Sequence, residues 1–277
     1  YLMSKKPQYF NPKTVLPIVF GPALANYMSR VLPALGVHGA RPRTYHKWSS
    51  GLRIRMLPEL PVQYAENTPM DVIELKRHPL WLKYYREEIQ NRTTKFRELF
   101  EDKLAKVEGL EILLKAWDAM SDTALIPRLQ NLAGWSKGEE TIQGVPQLSS
   151  ARMEKQLQNA LEQAFPELME SPHLLTTQIW NDCLVNRELL FETVERLAPG
   201  EFNESQLTGV WSWAVRQYQK RQESKEIVES DLVSLTEQTE DFFNEDLNFT
   251  DETSLLDEED DTLLLLLFQL LLGPLNR

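Results

Sequence analysis

Apolar positions recur at steps of three, four and seven residues over one long stretch in the first half of the chain. That spacing keeps one face of an α-helix apolar for about eight turns. Pro79 suits a first helical position, because its fixed φ matches the helix and its missing N–H would have no intrahelical partner there. The pattern predicts a long helix from Pro79 whose apolar stripe consists of Leu82, Tyr85, Ile89, Phe96, Phe100, Leu104 and Val107.

The helical pattern continues beyond this stretch. Gly109 predicts an elbow, and helical periodicity resumes over residues 110–120 and 123–126 until Pro127 forces a break or kink. Residues 136–148 are polar and contain two glycines and a proline, which is typical of a linker. We therefore expect a long-helix unit over residues 58–135.

A second helical unit is predicted over residues 149–222, and it contains three helices. The first covers residues 151–164. Ser171 followed by Pro172 predicts the start of the second helix, which ends before Pro199. Asn203 and Gln206 have the spacing of a capping box at the start of the third. Because the connectors are short, neighbouring helices should pack antiparallel.

Residues 1–57 show a different pattern. Three prolines within the first 17 residues exclude a helix there and favour an extended arm. Residues 23–32 predict a short helix that Pro33 ends. Together these features predict an extended N-terminal arm with one short helix.

The remainder of this arm has no helical pattern. Residues 36–51 contain three glycines and a proline around a basic and aromatic interior, and they predict an irregular loop. Residues 52–56 alternate apolar and basic side chains, which predicts a half-buried strand. Residues 62–64 are its predicted pairing partner.

Charge divides the chain sharply. Residues 1–55 contain nine lysines and arginines and no aspartate or glutamate. Because the whole chain carries −11, residues 56–277 sum to −20. The arm is therefore the part of the chain suited to an acidic ligand.

Five of the nine basic residues of the arm fall within fifteen positions, residues 41–55, together with aromatic side chains. Guanidinium groups match phosphate oxygens, while tyrosine and tryptophan rings offer faces on which bases stack. Three interpretations stay open: a nucleic-acid contact, a contact with an acidic protein surface, and a solvated loop. The candidate nucleic-acid-binding residues are Arg41, Arg43, Tyr45, His46, Lys47, Trp48, Arg53 and Arg55.

Residues 223–261 form an acidic tail, with sixteen acids against Lys225 alone. Such a block is usually solvated, but large apolar residues interrupt this one. Acidic segments of that kind bind protein partners and become ordered on contact. The candidate partner-binding residues here are Phe242, Phe243 and Phe249.

An apolar run follows at residues 263–272, within a predicted short helix over residues 262–277. Thr262 is its predicted N-cap, and the preceding acids lie at the positive end of the helix dipole. Ten helical residues extend about 15 Å, roughly half of a bilayer core, so the run must be buried in protein instead. Its own core and a partner's groove are equally compatible with the pattern. The candidate partner-binding residues are Leu263, Leu266, Leu267 and Leu270.

No motif for phosphate binding, dinucleotide binding, zinc proteolysis or serine hydrolysis occurs in the sequence. We therefore expect no enzyme activity, no cofactor and no metal. The lone Cys183 excludes an intramolecular disulfide and favours a reducing, intracellular compartment, with the nucleus and the mitochondrion as candidates.

The sequence thus predicts a mainly α protein with an extended basic N-terminal arm and an acidic C-terminal tail that ends in a short apolar helix. The leading functional hypothesis is a non-enzymatic structural subunit of a large, nucleic-acid-containing assembly such as a ribonucleoprotein. The arm would contact the phosphate backbone of RNA or DNA, and the tail would dock on a protein subunit. The alternative is an adaptor or regulator whose acidic-hydrophobic tail recruits another factor and whose arm binds an acidic protein.

Overall fold

The computed structural model describes residues 15–107, 109–148, 172–235 and 256–273, with six residues between 152 and 159. The described chain is mainly helical, as the sequence predicts. The predicted extended segment before residue 15 and most of the predicted helix over residues 151–164 lie outside the described residues. Two compact units are present, Tyr1–Val62 and Gln63–Arg277, here called the N-terminal unit and the helical unit.

The N-terminal unit contains two short strands and two helices. Strand β1 (Ile18–Val19) pairs in parallel with β2 (Arg43–Thr44), so that Ile18 lies opposite Arg43. Helix α1 spans Pro22–Ala34 and extends beyond its predicted end at Pro33. Helix α2 spans Tyr45–Met56.

The prediction of an irregular loop over residues 36–51 therefore holds only up to residue 42, and the predicted strand over residues 52–56 is wrong, because residues 45–56 form one helix. The Thr44 side chain accepts a hydrogen bond from the backbone N–H of Lys47 at 3.2 Å and caps α2. The buried residues Ser49, Leu52 and Arg53 follow the spacing of one helix face. Five alternating residues were too few to distinguish this face from a strand.

The helical unit contains eight further described helices. Several predicted features have counterparts in the structure: the long helix after Pro79, the helix over residues 110–120, and the helix starts predicted at Pro172 and at Asn203. The bounds are α3 Met70–Arg77, α4 Leu80–Lys103, α5 Leu110–Ala119, α6 Leu125–Ser136, α7 Pro172–Val185, α8 Arg187–Leu197, α9 Glu204–Leu235 and α10 Glu258–Leu272.

The long helix α4 buries a wider face than the predicted stripe. Tyr85 and Phe100 are buried as expected, but Leu82 is exposed while Trp81 and Tyr84 are buried in the first turns. The Trp81 indole donates to the Leu75 carbonyl at 2.7 Å, which satisfies its one polar group. An aromatic cluster therefore joins the start of α4 to α3.

The predicted continuous helix from Ser171 to Ala198 is two helices, α7 and α8. Asn186 lies between them, and its side chain accepts from the Leu189 backbone N–H at 3.1 Å. A side-chain N-cap of this kind marks the start of a new helix. The predicted capping box at Asn203 and Gln206 is confirmed, because each side chain accepts from the other residue's N–H at 3.0 Å.

The last described helix, α10, lies in the core of the helical unit and packs against α3, α4, α6 and α7. Burying each leucine of this helix contributes about 1.5–3 kcal/mol. The helix begins four residues before the predicted cap, because Asp257 and not Thr262 is its N-cap. The buried apolar residues of α10 are Leu263, Leu264, Leu265, Leu267, Phe268 and Leu271.

Candidate functional site

The predicted basic cluster lies around α2 of the N-terminal unit. Arg41 and Arg43 precede the helix and are exposed. Tyr45, His46 and Lys47 occupy its exposed first turn, with the half-buried Trp48 beside them. Arg55 is exposed in the last turn.

The beginning of α2 combines three features that suit a phosphate-bearing ligand. Arg43 and Lys47 place cations on either side of the helix start, where the helix dipole also favours an anion. The Tyr45 and Trp48 rings lie 5.6 Å apart at 53°. Tyr45 is 45% exposed, and exposed aromatic rings are the side chains on which unpaired bases stack.

Arg53 does not belong to this surface, and the prediction for that residue is corrected. Its side chain is fully buried, and Nη1 donates to the Pro61 carbonyl at 2.7 Å. Arg53 lies on the same helix face as Ser49 and Leu52, so it points into the unit. It therefore connects α2 to the segment that follows it.

The predicted partner-binding residues of the tail divide into two sets. Phe242, Phe243 and Phe249 lie outside the described residues. Leu263 and Leu267 are buried in the helical unit, while Leu266 and Leu270 are half-buried. Of the two alternatives that the sequence left open, the structure has the apolar run packed on the chain's own core, so the assignment of these leucines to a partner contact is corrected.

The sequence analysis missed a buried carboxylate cluster at the start of α10. Lys76 of α3 donates to Asp257 and forms an ion pair with Asp260, whose Oδ1 lies 2.7 Å from Nζ. All three side chains are at most 3% exposed. Asp260 also accepts from the Asp257 backbone N–H at 2.8 Å and thus closes the helix start.

Neutral donors complete the cluster. Asp257 accepts from the Thr68 hydroxyl at 2.8 Å and from the Trp213 indole at 3.1 Å. Asp261 accepts from the Tyr64 hydroxyl at 2.6 Å. Hydrogen bonding of this density is what allows carboxylates to remain inside a core. No sequence signal marks Lys76, but a run of acids directly before an apolar helix was a usable indication.

The charges within the cluster favour the protonated form of Lys76. Burial alone would lower the pKa of Lys76, but Asp260 and Asp257 together outweigh it, so the pKa is raised and the amine stays protonated. Burial raises the pKa of Asp260, and Lys76 only partly offsets this. A protonated, fully paired lysine cannot act as a nucleophile or base.

The one cysteine lies near this cluster and is not activated. Burial raises the pKa of the Cys183 thiol well above its ordinary value. Its Sγ lies 3.7 Å from the Tyr85 hydroxyl and 3.1 Å from the Trp180 carbonyl. Since the thiolate is the reactive form, Cys183 behaves as a core residue.

Within the described parts of the chain, no three histidine, cysteine, aspartate or glutamate side chains are arranged to hold a metal ion. Among the same residues, no helix has the length and apolar character needed to cross a bilayer. Comparison with protein-family models, with curated proteins and with solved structures found no match to this chain. Function is therefore inferred from the residues of this chain alone.

Replacing Lys76 with methionine should destabilise the helical unit strongly. The variant leaves two carboxylates buried without their cation, which typically costs about 3–5 kcal/mol of unfolding free energy. Urea unfolding followed by tryptophan fluorescence measures the loss. Lys83→Met, at an exposed position on α4, is the matched control and should change stability by less than about 0.5 kcal/mol. Equal effects of the two substitutions would show that the buried pair is unimportant.

Stability should fall as pH rises above about 9, the ordinary pKa of a cysteine thiol. The folded-state pKa values of Cys183, Tyr85 and Lys76 are all raised, so the unfolded chain releases these protons first. Each group then removes up to about 1.4 kcal/mol per pH unit. The cysteine contribution begins at the lowest pH, since the ordinary values for Tyr85 and Lys76 are 10.0 and 10.5.

Cys183→Ala isolates that contribution, because the chain has one cysteine. Urea midpoints measured between pH 8 and pH 10 should decline less steeply for the variant than for the natural chain. Parallel declines would mean that the thiol ionises equally easily in the folded and unfolded states.

Proposed function

We propose that this protein is a structural subunit of a large intracellular assembly that contains nucleic acid, and that its N-terminal unit binds the phosphate backbone. The observation that supports this most directly is the charge of that unit's surface. Residues 15–62 contain six cations and one acid, Glu59, and five of the cations are exposed. These exposed cations are Arg30, Arg41, Arg43, Lys47 and Arg55.

The arrangement around α2 favours phosphate over a generic anion. Two of the cations flank the helix start, where backbone N–H groups point outward and the dipole is positive. Arginine forks make paired hydrogen bonds to phosphate oxygens. The neighbouring Tyr45 and Trp48 rings add a stacking surface that an unpaired base would use.

The helical unit does not compete for this ligand. Because residues 1–62 contribute +8 to the total of −11, residues 63–277 carry −19. Like charge repels phosphate from that unit. In this proposal, the helical unit supplies the folded body of the subunit.

The adaptor hypothesis uses the same exposed cations but directs them at an acidic protein. It also needs an apolar tail that is available to a recruited factor. The structure places residues 263–272 against the chain's own helices, so the hypothesis keeps only the acidic segment before Leu256. We therefore rank it second.

The double variant Arg43→Ala, Lys47→Ala should bind single-stranded RNA more weakly and with a smaller dependence on salt. Each lost phosphate contact on a single strand lowers the slope of log K against log salt by about 0.7, so the pair should lower it by about 1.4. Fluorescence anisotropy with a labelled uridine 20-mer, titrated at several salt concentrations, measures both quantities. A DNA duplex of equal length tests the preference between nucleic acids.

Lys83→Ala, Arg86→Ala is the control, since it removes one lysine and one arginine from exposed positions of α4 in the helical unit. It should leave both affinity and salt slope unchanged. If the natural chain fails to bind either nucleic acid, or if both double variants behave alike, the N-terminal unit does not contact phosphate.

A further inference from the structure

We propose that α1 docks, through one apolar stripe, into an apolar groove with an acidic rim on a protein partner. The α1 stripe is defined as Leu24, Tyr27 and Val31 of the helix together with Leu35, its C-cap residue, which follow one another at steps of three, four and four residues. Three of them are strongly exposed, Leu24 at 42%, Tyr27 at 61% and Leu35 at 69%. Steps of this size place all four on one side of a helix axis.

Within the described residues α1 packs against the short strands β1 and β2, but Leu24, Tyr27 and Leu35 stay exposed. None of the thirteen residues of α1 is buried. An isolated helix of this length is marginal in water, because in proteins most helical stability comes from packing an apolar face. Just before α1, Ile18 and Phe20 are exposed as well. Several large apolar side chains next to one another mark an interaction surface, whereas single ones do not.

The chemistry of the stripe favours a protein groove over nucleic acid. Leu24, Val31 and Leu35 are aliphatic, so they neither stack on bases nor bind phosphate. Helix-in-groove recognition uses apolar anchors at this spacing. A membrane surface fits less well, because the remaining faces of α1 carry Arg30 as their one charge, whereas interfacial helices are rich in lysine and arginine.

Charge determines the rim of the groove. Arg30 lies on α1 itself, and residues 1–58 contain no acid. A groove bordered by carboxylates would therefore gain attraction around its edge. A second copy of this unit would instead bring arginines against arginines, so charge disfavours self-association through the stripe.

This inference rests on the proposed role as a subunit of an assembly, and it names the surface that holds the chain to a neighbouring protein. It does not depend on phosphate binding, which was assigned to residues around α2. If the RNA titration gave a negative result, the docking proposal for the α1 stripe would still stand. If the docking test failed, the proposed phosphate contacts would still stand.

The test uses the full chain with the photo-reactive amino acid p-benzoylphenylalanine in place of Tyr27. The purified chain is irradiated in a lysate of its natural source, and the cross-linked peptide is sequenced. We expect one protein, joined at a peptide in which Asp or Glu residues flank apolar ones. The same probe at Asn26, exposed on the opposite side of α1, should not form that cross-link.

The identified partner is then produced and its binding to the full chain measured. Leu24→Glu should weaken binding by about tenfold or more, as expected for an apolar anchor in a groove. Asn26→Glu, the matched control, should change it by no more than about twofold. Circular dichroism checks that both variants keep their helix content.

Any other cross-link overturns the proposal. Attachment to a second copy would make the stripe a self-association surface, and attachment elsewhere in the same chain would make it an internal contact. Attachment to nucleic acid or lipid would assign it to those ligands. The proposal also fails if no cross-link forms, or if Leu24→Glu binds the partner as tightly as the natural chain does.

Discussion

The helical unit depends on the contact between Lys76 and the two aspartates at the start of α10. Asp257 and Asp260 lie inside a core, where an unpaired carboxylate would be strongly destabilised. Lys76 neutralises part of that charge, and Thr68, Trp213 and the Asp257 backbone N–H satisfy the remaining lone pairs. Removing one partner of such a set leaves the others buried without a hydrogen-bond or charge partner, which is strongly destabilising. The members of the set therefore stabilise the fold together. This requirement fixes where α10 begins and how it is aligned against α3.

The same contact joins segments that are far apart in the chain. Lys76 and Asp257 are 181 residues apart in the chain, and the isolated bridge between Tyr64 and Leu256 joins the same two regions. The first and last described segments of the helical unit therefore meet in its core. Contacts of such large sequence separation slow folding, because the entropy of closing the intervening loop opposes them until they form.

Sequence patterns predicted the features that depend on local periodicity and capping. The long helix after Pro79 and the capping box at Asn203 follow from side chains a few residues apart. The α2 helix was missed because five alternating residues fit a strand as well as a helix. Arg53 and Arg55 have the same side chain and are two positions apart. They lie on different sides of α2, so one is buried and the other is exposed. The apolar run predicted burial of Leu263 and Leu267 in protein, but neither Lys76 as the partner of α10 nor the chain's own core as the place of burial could be inferred, since both depend on long-range packing.

Burial also separates structural charge from charge available to a ligand. In the helical unit, Lys76 is enclosed and fully paired. In the N-terminal unit, Arg53 is the enclosed cation, and it binds the backbone carbonyl of Pro61. The other five cations of residues 15–62 remain on the surface together with the apolar side chains of α1. The N-terminal unit therefore exposes two surfaces of different chemistry, the cations around α2 and the apolar side chains of α1. The two proposed contacts use this difference: phosphate matches the cations around α2, and an apolar groove matches α1.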